Sequence, residues 1–221
     1  MTTLFAFGCP HSGTTYLWRS LQAVAEIANE RTTCASCRTQ VYRITESNPL
    51  HPCLSPNGLI SLAMMAVGAN GPIVLVRIIR DPVDIFESFY AKRQPGHGAY
   101  MKGVNDDERI FDFIEQERTN VRRQKERYAE FKKAWTEKGK RGWPFHLIEV
   151  KYEELDDERK RIEFCAELGA HAKGVGEILH TYLADTWKKK PIRHGRLKMG
   201  ITKTLLPKGL KAEIVTRCSS Q

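Results

Sequence analysis

Phe5-Ala6-Phe7-Gly8-Cys9-Pro10-His11-Ser12-Gly13-Thr14-Thr15-Tyr16-Leu17 decides how this chain folds. An apolar stretch, Leu4 to Phe7, runs into a turn bounded by two glycines and then directly into a pattern of helical period. Leu17, Leu21, Val24, Ala25 and Ala28 recur at the spacing that lays one face of a helix on a sheet. Gly8 and Gly13 permit the tight backbone that wraps an anion. The amides from Ser12 to Thr15 then stand at a helix N-terminus, which carries partial positive charge. The spacing is Gly-x4-Gly followed by Thr14-Thr15. A Walker A loop has lysine directly after the second glycine, and here Thr14 stands in that place. The loop therefore reads as a phosphate cradle without the lysine of ATP hydrolysis. A turn rich in Gly, Pro and Ser is also an ordinary connection, so a second segment has to decide.

That segment is Gly71 to Tyr90, in which Ile73-Val74-Leu75-Val76-Arg77-Ile78-Ile79 ends abruptly at Arg80-Asp81-Pro82. The apolar run lacks strict alternation, as in a strand of a parallel sheet buried on both faces. Pro82 fits the first turn of a following helix, where its missing N–H costs nothing. Arg80 is thus expected at the carboxyl end of a strand, the edge where open α/β sheets bind ligands, and its guanidinium fork matches a phosphate bidentately. Ser88, two turns into the helix, offers a further hydroxyl. Phe145 to Val150 reads as another buried strand that places Tyr152 at the same edge, although a rim tyrosine packing on the next helix has the same pattern. Together these segments predict an α/β fold in three layers, P-loop-like, with a central, mainly parallel sheet flanked by helices.

With these residues in view, the chain resembles the sulfotransferases that use 3′-phosphoadenosine-5′-phosphosulfate (PAPS). Their 5′-phosphosulfate loop reads Pro-Lys-Ser-Gly-Thr-Thr, and Pro10-His11-Ser12-Gly13-Thr14-Thr15 is similar to it. Their 3′-phosphate segment reads Arg-Asn-Pro with a later serine, matched here by Arg80-Asp81-Pro82 and Ser88. Val150-Lys151-Tyr152-Glu153-Glu154-Leu155 and the Ile162 to Gly169 stretch resemble the family's Tyr-Glu-Asp-Leu strand end and its following helix. Arg193-His194-Gly195 is similar to its Arg-Lys-Gly loop.

The resemblance implies a sulfuryl transfer from PAPS to a hydroxyl or amine acceptor, small-molecule or carbohydrate, with PAPS as co-substrate and no metal. It implies donor contacts from His11, Ser12, Gly13, Thr14, Thr15, Tyr16, Arg80, Ser88, Tyr152, Arg193, His194 and Gly195, with Tyr152 against the adenosine and Arg193 to Gly195 on the 3′-phosphate. The departure is His11, where cytosolic members carry lysine. A histidine between phosphates is raised in pKa and, protonated, serves as a general acid to the leaving oxygen. Sulfuryl carries less charge than phosphoryl, so the want of a Walker lysine is intelligible. The resemblance puts a base between the two phosphate segments. Val41 to His51 reads as a short strand and a turn at Ser47-Asn48-Pro49, which singles out Glu46, with His51 second and Arg43 as a sulfate contact. Two alternatives share the loop architecture: a nucleotide or small-molecule kinase, and a nucleotide-binding module without activity.

The remaining chain bounds the reading. With 221 residues, 41% hydrophobic and 28% charged, it suits a single domain over residues 1–221. No segment has the length and apolarity of a membrane span, and the expected location is the cytoplasm, where the six cysteines stay reduced. The net charge of +9 fits a multiply charged donor as well as nucleic acid, so charge alone does not choose. Nucleic acid is not the expected partner. Ile114, Val121, Tyr128, Phe131 and Trp135 mark the apolar stripe of a long helix, whose basic residues between Arg118 and Arg141 read as a solvated face. Lys188 to Lys190 and Arg193 to Lys198 are denser. Gln94 to Gly103 is glycine-rich and reads as a lid over the acceptor, with His97 in it. Cys34, Cys37, His51 and Cys53 have the ligand types tetrahedral zinc accepts, but the second pair lacks the usual spacing, so thiols or a local disulfide are expected. Cys9 fills the turn or is a thiol at a helix N-terminus.

Overall fold

The computed structural model describes residues 1–8, 12–43, 71–92, 107–139, 142–143, 145–188 and 208–219. Four parallel strands, β1 (Thr2–Gly8), β2 (Thr39–Arg43), β3 (Ile73–Ile79) and β4 (Phe145–Lys151), form a sheet in the order β2-β1-β3-β4. The expected α/β class with a parallel sheet is therefore what the chain forms. Around the sheet lie α1 (Thr14–Glu30), α2 (Pro82–Lys92), α3 (Asp107–Glu137), α4 (Glu158–His171), α5 (Val175–Lys188) and α6 (Lys208–Ser219).

The pleat sorts the strand residues between two helical layers. Leu4 and Ala6, Val74, Val76 and Ile78, and Ile148 and Val150 point to one face, where they pack with Leu17, Leu21 and Val24 of α1, Phe164 and Leu168 of α4, and Leu179 and Leu183 of α5. Phe7, Ile73, Leu75 and Phe145 point to the other, against Tyr128 and Phe131 of α3 and Trp143. Helices on both faces explain why β3 reads as an unbroken apolar run: five of its seven residues are buried. Each fully buried leucine contributes roughly 1.5–3 kcal/mol relative to exposure. The third cluster joins Ile85 and Phe86 of α2, Phe111 and Ile114 of α3, and Leu210 and Ile214 of α6.

Polar ties fix the second face. Glu149 accepts from Arg77 Nη1 at 2.8 Å, and Lys125 Nζ of α3 lies 2.6 Å from its other oxygen. Burial pushes the Glu149 carboxyl up, but these two cations outweigh it and hold it below the usual range. Trp143 Nε1 donates to Tyr128 Oη, which in turn donates to the Phe145 carbonyl. At the same, amino-terminal end of β4 the rings of His146 and His171 stack with centroids 3.6 Å apart. No described helix is long and apolar enough to cross a membrane.

The candidate phosphate-binding edge

All four strands point the same way, so their carboxyl ends share one sheet edge. The chain leaves β1 for β2 on one side and later enters β3 on the other, making the crevice between β1 and β3 the topological switch point. Gly8 is registered against Ile78. The glycine loop that follows β1 and Arg80, which follows β3, therefore leave neighbouring strands at the same level. Between β3 and β4 the register runs from Ile73 opposite Phe145 to Ile79 opposite Lys151, and Tyr152 extends it by donating its N–H to the Ile79 carbonyl at 2.7 Å.

Both glycines of the loop are sterically required. A Cβ on Gly8 would lie 2.5 Å from the Ile78 carbonyl oxygen and 2.7 Å from Ser12 Oγ. Gly13 has φ of +100°, and a Cβ there would lie 2.5 Å from the Tyr152 ring. Gly13 is also the N-cap of α1: its carbonyl accepts from the Leu17 N–H, and the first turn of the helix contains no acidic residue. The positive end of the α1 dipole is thus not offset by a carboxylate of its own first turn. Ser12 and Thr14 are buried, 0% and 1% exposed, with their hydroxyls 3.2 Å apart. Their side chains are thus enclosed within the fold beside the loop rather than presented at its surface. Thr15 is half-buried. Tyr16 points away from the loop into the α1–α5 packing, its hydroxyl 3.1 Å from Thr186 Oγ1, and burial raises its pKa.

Arg80 is held from several sides. Its guanidinium carbon stands 4.8 Å from the centroid of the Tyr152 ring, and its Nε is 4.0 Å from Asp84. Asp81 caps α2, accepting from the Val83 N–H at 2.8 Å, with Pro82 as the first helical residue, as its sequence position predicts. The Asp81 N–H in turn donates to Glu153 at 3.4 Å, tying the end of β3 to the end of β4. Ser88 is half-buried on α2. Below Tyr152 a 3-10 turn, Glu153–Leu155, buries Leu155 completely, and the buried Arg161 donates to the Leu155 carbonyl at 2.9 Å. Burial raises the Tyr152 hydroxyl pKa, partly countered by Arg80.

The structure thus brings Ser12, Gly13, Thr14, Thr15, Arg80 and Tyr152 to one edge. Arg43 closes β2, whose last registered pair, Ala6 with Arg43, lies at that edge too. His11, Glu46, His51, His97, Arg193, His194 and Gly195, with Cys9, Cys53 and the Gln94 to Gly103 stretch, lie outside the described residues. Cys34 and Cys37 are exposed around a 3-10 turn before β2. Among the described residues no group of three or more His, Cys, Asp or Glu is placed to hold a metal ion. Sequence reasoning passed over Asp81 as a helix cap and Glu153 as its tie. The Asp-Pro pair ahead of an apolar periodic run was a legible cap signal, whereas the Glu153 contact joins segments 72 residues apart and left none. Compared with models of known protein families, with curated proteins and with solved structures, the chain finds no match in any of the three.

Proposed function

We propose that the protein is a sulfotransferase that moves a sulfuryl group from PAPS to a hydroxyl or amine. The observation that carries this reading is the Gly8–Ile78 register, which sets a glycine loop at a helix N-terminus beside an arginine at the next strand's end. Two anion grips so close suit a nucleoside phosphorylated at both ends of its ribose. In this reading the amides of Ser12 to Thr15 hold the 5′-phosphosulfate and Arg80, with Ser88, holds the 3′-phosphate. By the same family resemblance, Arg193, His194 and Gly195 join Arg80 on the 3′-phosphate.

The chemistry requires an acceptor oxygen or nitrogen to attack sulfur in line. A new bond to sulfur forms as the bond from sulfur to the bridging phosphate oxygen breaks. The acceptor proton passes to a base, for which Glu46 is proposed with His51 second. His11 as imidazolium would donate to the departing oxygen. The protein's share is positioning and charge stabilisation, with Thr14 in place of the Walker lysine.

The test is a transfer assay with sulfur-labelled PAPS and a panel of hydroxyl and amine acceptors. Label moves to at least one acceptor in the wild type, and Glu46→Gln abolishes transfer while still binding donor. Undiminished turnover in Glu46→Gln moves the base to His51. Magnesium-dependent turnover of ATP, with no transfer from PAPS, contradicts the reading.

A further inference from the structure

We propose that Tyr152 acts as a positioning residue which, through Arg80, sets the preference of this edge for nucleotides phosphorylated on the 3′ oxygen. This inference rests on the donor reading above. The Tyr152 ring has neighbours from both of the segments that meet at this edge. Its Cδ2–Cε2 edge lies against Gly13, so closely that a Cβ there would sit 2.5 Å from Cδ2 and 2.7 Å from Cε2. The guanidinium of Arg80 stands 4.8 Å from the ring centroid. The ring thus lies beside both the glycine of the loop and the arginine that follows β3.

The backbone around it is fixed independently of any ligand. The Tyr152 N–H extends the β3–β4 ladder to the Ile79 carbonyl, one residue before Arg80, and its carbonyl accepts from the Leu155 N–H at 3.3 Å. Leu155 is wholly buried and its carbonyl is gripped by Arg161. The ring therefore has a rigid footing from which to orient Arg80. An arginine on a flexible stem loses side-chain entropy when it grips a phosphate, and stacking on a fixed ring removes part of that cost beforehand. The ring face, not the hydroxyl, does this, so phenylalanine should replace tyrosine and leucine should not.

The experiment compares calorimetric affinities for adenosine 3′,5′-bisphosphate and adenosine 5′-monophosphate, which differ only in the 3′-phosphate. The wild type binds the bisphosphate more tightly, and Tyr152→Phe keeps that ratio. Tyr152→Leu reduces the ratio by about fivefold, the scale of a partly desolvated cation–π contact. In an Arg80→Gln background, Tyr152→Leu leaves the ratio where Arg80→Gln alone put it. Loss of packing against Gly13 weakens both nucleotides equally and cancels from the ratio, and circular dichroism confirms that each variant is folded. An unchanged ratio in Tyr152→Leu, or an equal further drop in the Arg80→Gln background, overturns the inference and leaves the donor reading standing. A wild-type chain that binds neither nucleotide overturns the donor reading and this inference with it.

Discussion

Gly13 shows how much of the site depends on single atoms. Its φ of +100° and its contact with the Tyr152 ring leave no room for a methyl group. Gly13→Ala is expected to destabilise the fold by about 1–3 kcal/mol and to weaken nucleotide binding further, because relief of the clash moves Tyr152 away from Arg80. Thermal melts and calorimetry on the same preparation check both. His146 supplies a pH signature far from the site. Burial, followed by the stacked His171 and by Lys132, pushes its pKa below 6.5. In the unfolded chain the imidazole takes up its proton more readily. The contribution of His146 is therefore complete above 6.5 and falls as pH drops below it. The melting temperature of His146→Gln should depend less on pH in that acidic window than the wild type, and identical slopes would contradict this.

At the level of elements, the helix after Arg80 is stabilised at its start by Asp81 and along its length by α6. Asp81→Ala removes the cap on the Val83 N–H and should cost about 1 kcal/mol, read from the denaturation midpoint. Ile214 of α6 is fully buried with Phe86 and Phe111, so Ile214→Ala should cost about 2–5 kcal/mol. If α6 docks as described, that variant also speeds hydrogen exchange in α2. The elements most legible in the sequence were those with a long single period. The Leu17 to Ala28 stripe became α1, the Ile73 run became β3, and the Ile114 to Trp135 stripe became α3. Two helices went unread. In α5, Val175, Leu179 and Leu183 recur every fourth residue and are wholly buried, a pattern open to the same reasoning. In α6 the apolar positions thin to Leu210, Ile214 and the half-buried Cys218, and the helix is defined by what it packs against rather than by its own pattern.

Across the molecule, the decisive relation is one that no local pattern contains. The sequence marked two segments that we propose grip anions, but their adjacency comes from the strand order β2-β1-β3-β4, which pairs β1 with β3 across the 64 residues between Gly8 and Ile73, a whole helix and strand among them. Parallel pairing then places both carboxyl ends on one edge, and Tyr152 arrives there because β4 takes the outer place beside β3. The direction of the Tyr152 ring, the inward turn of the Ser12 and Thr14 hydroxyls, and the engagement of Tyr16 with Thr186 were beyond sequence patterns, since each is fixed by packing between distant segments. The basic balance of the chain supports attraction of a multiply charged anion without selecting it.

Calorimetry with adenosine 3′,5′-bisphosphate on the wild type and on Arg80→Ala tests the pairing of the two grips most directly, with magnesium-ATP and a short single-stranded oligonucleotide as competitors. Tight binding of the bisphosphate by the wild type, at least tenfold weaker in Arg80→Ala by the roughly 1.5–3 kcal/mol of a charge-assisted hydrogen bond, is the predicted result. Preference for ATP or the oligonucleotide, or a bisphosphate affinity indifferent to Arg80, would contradict it.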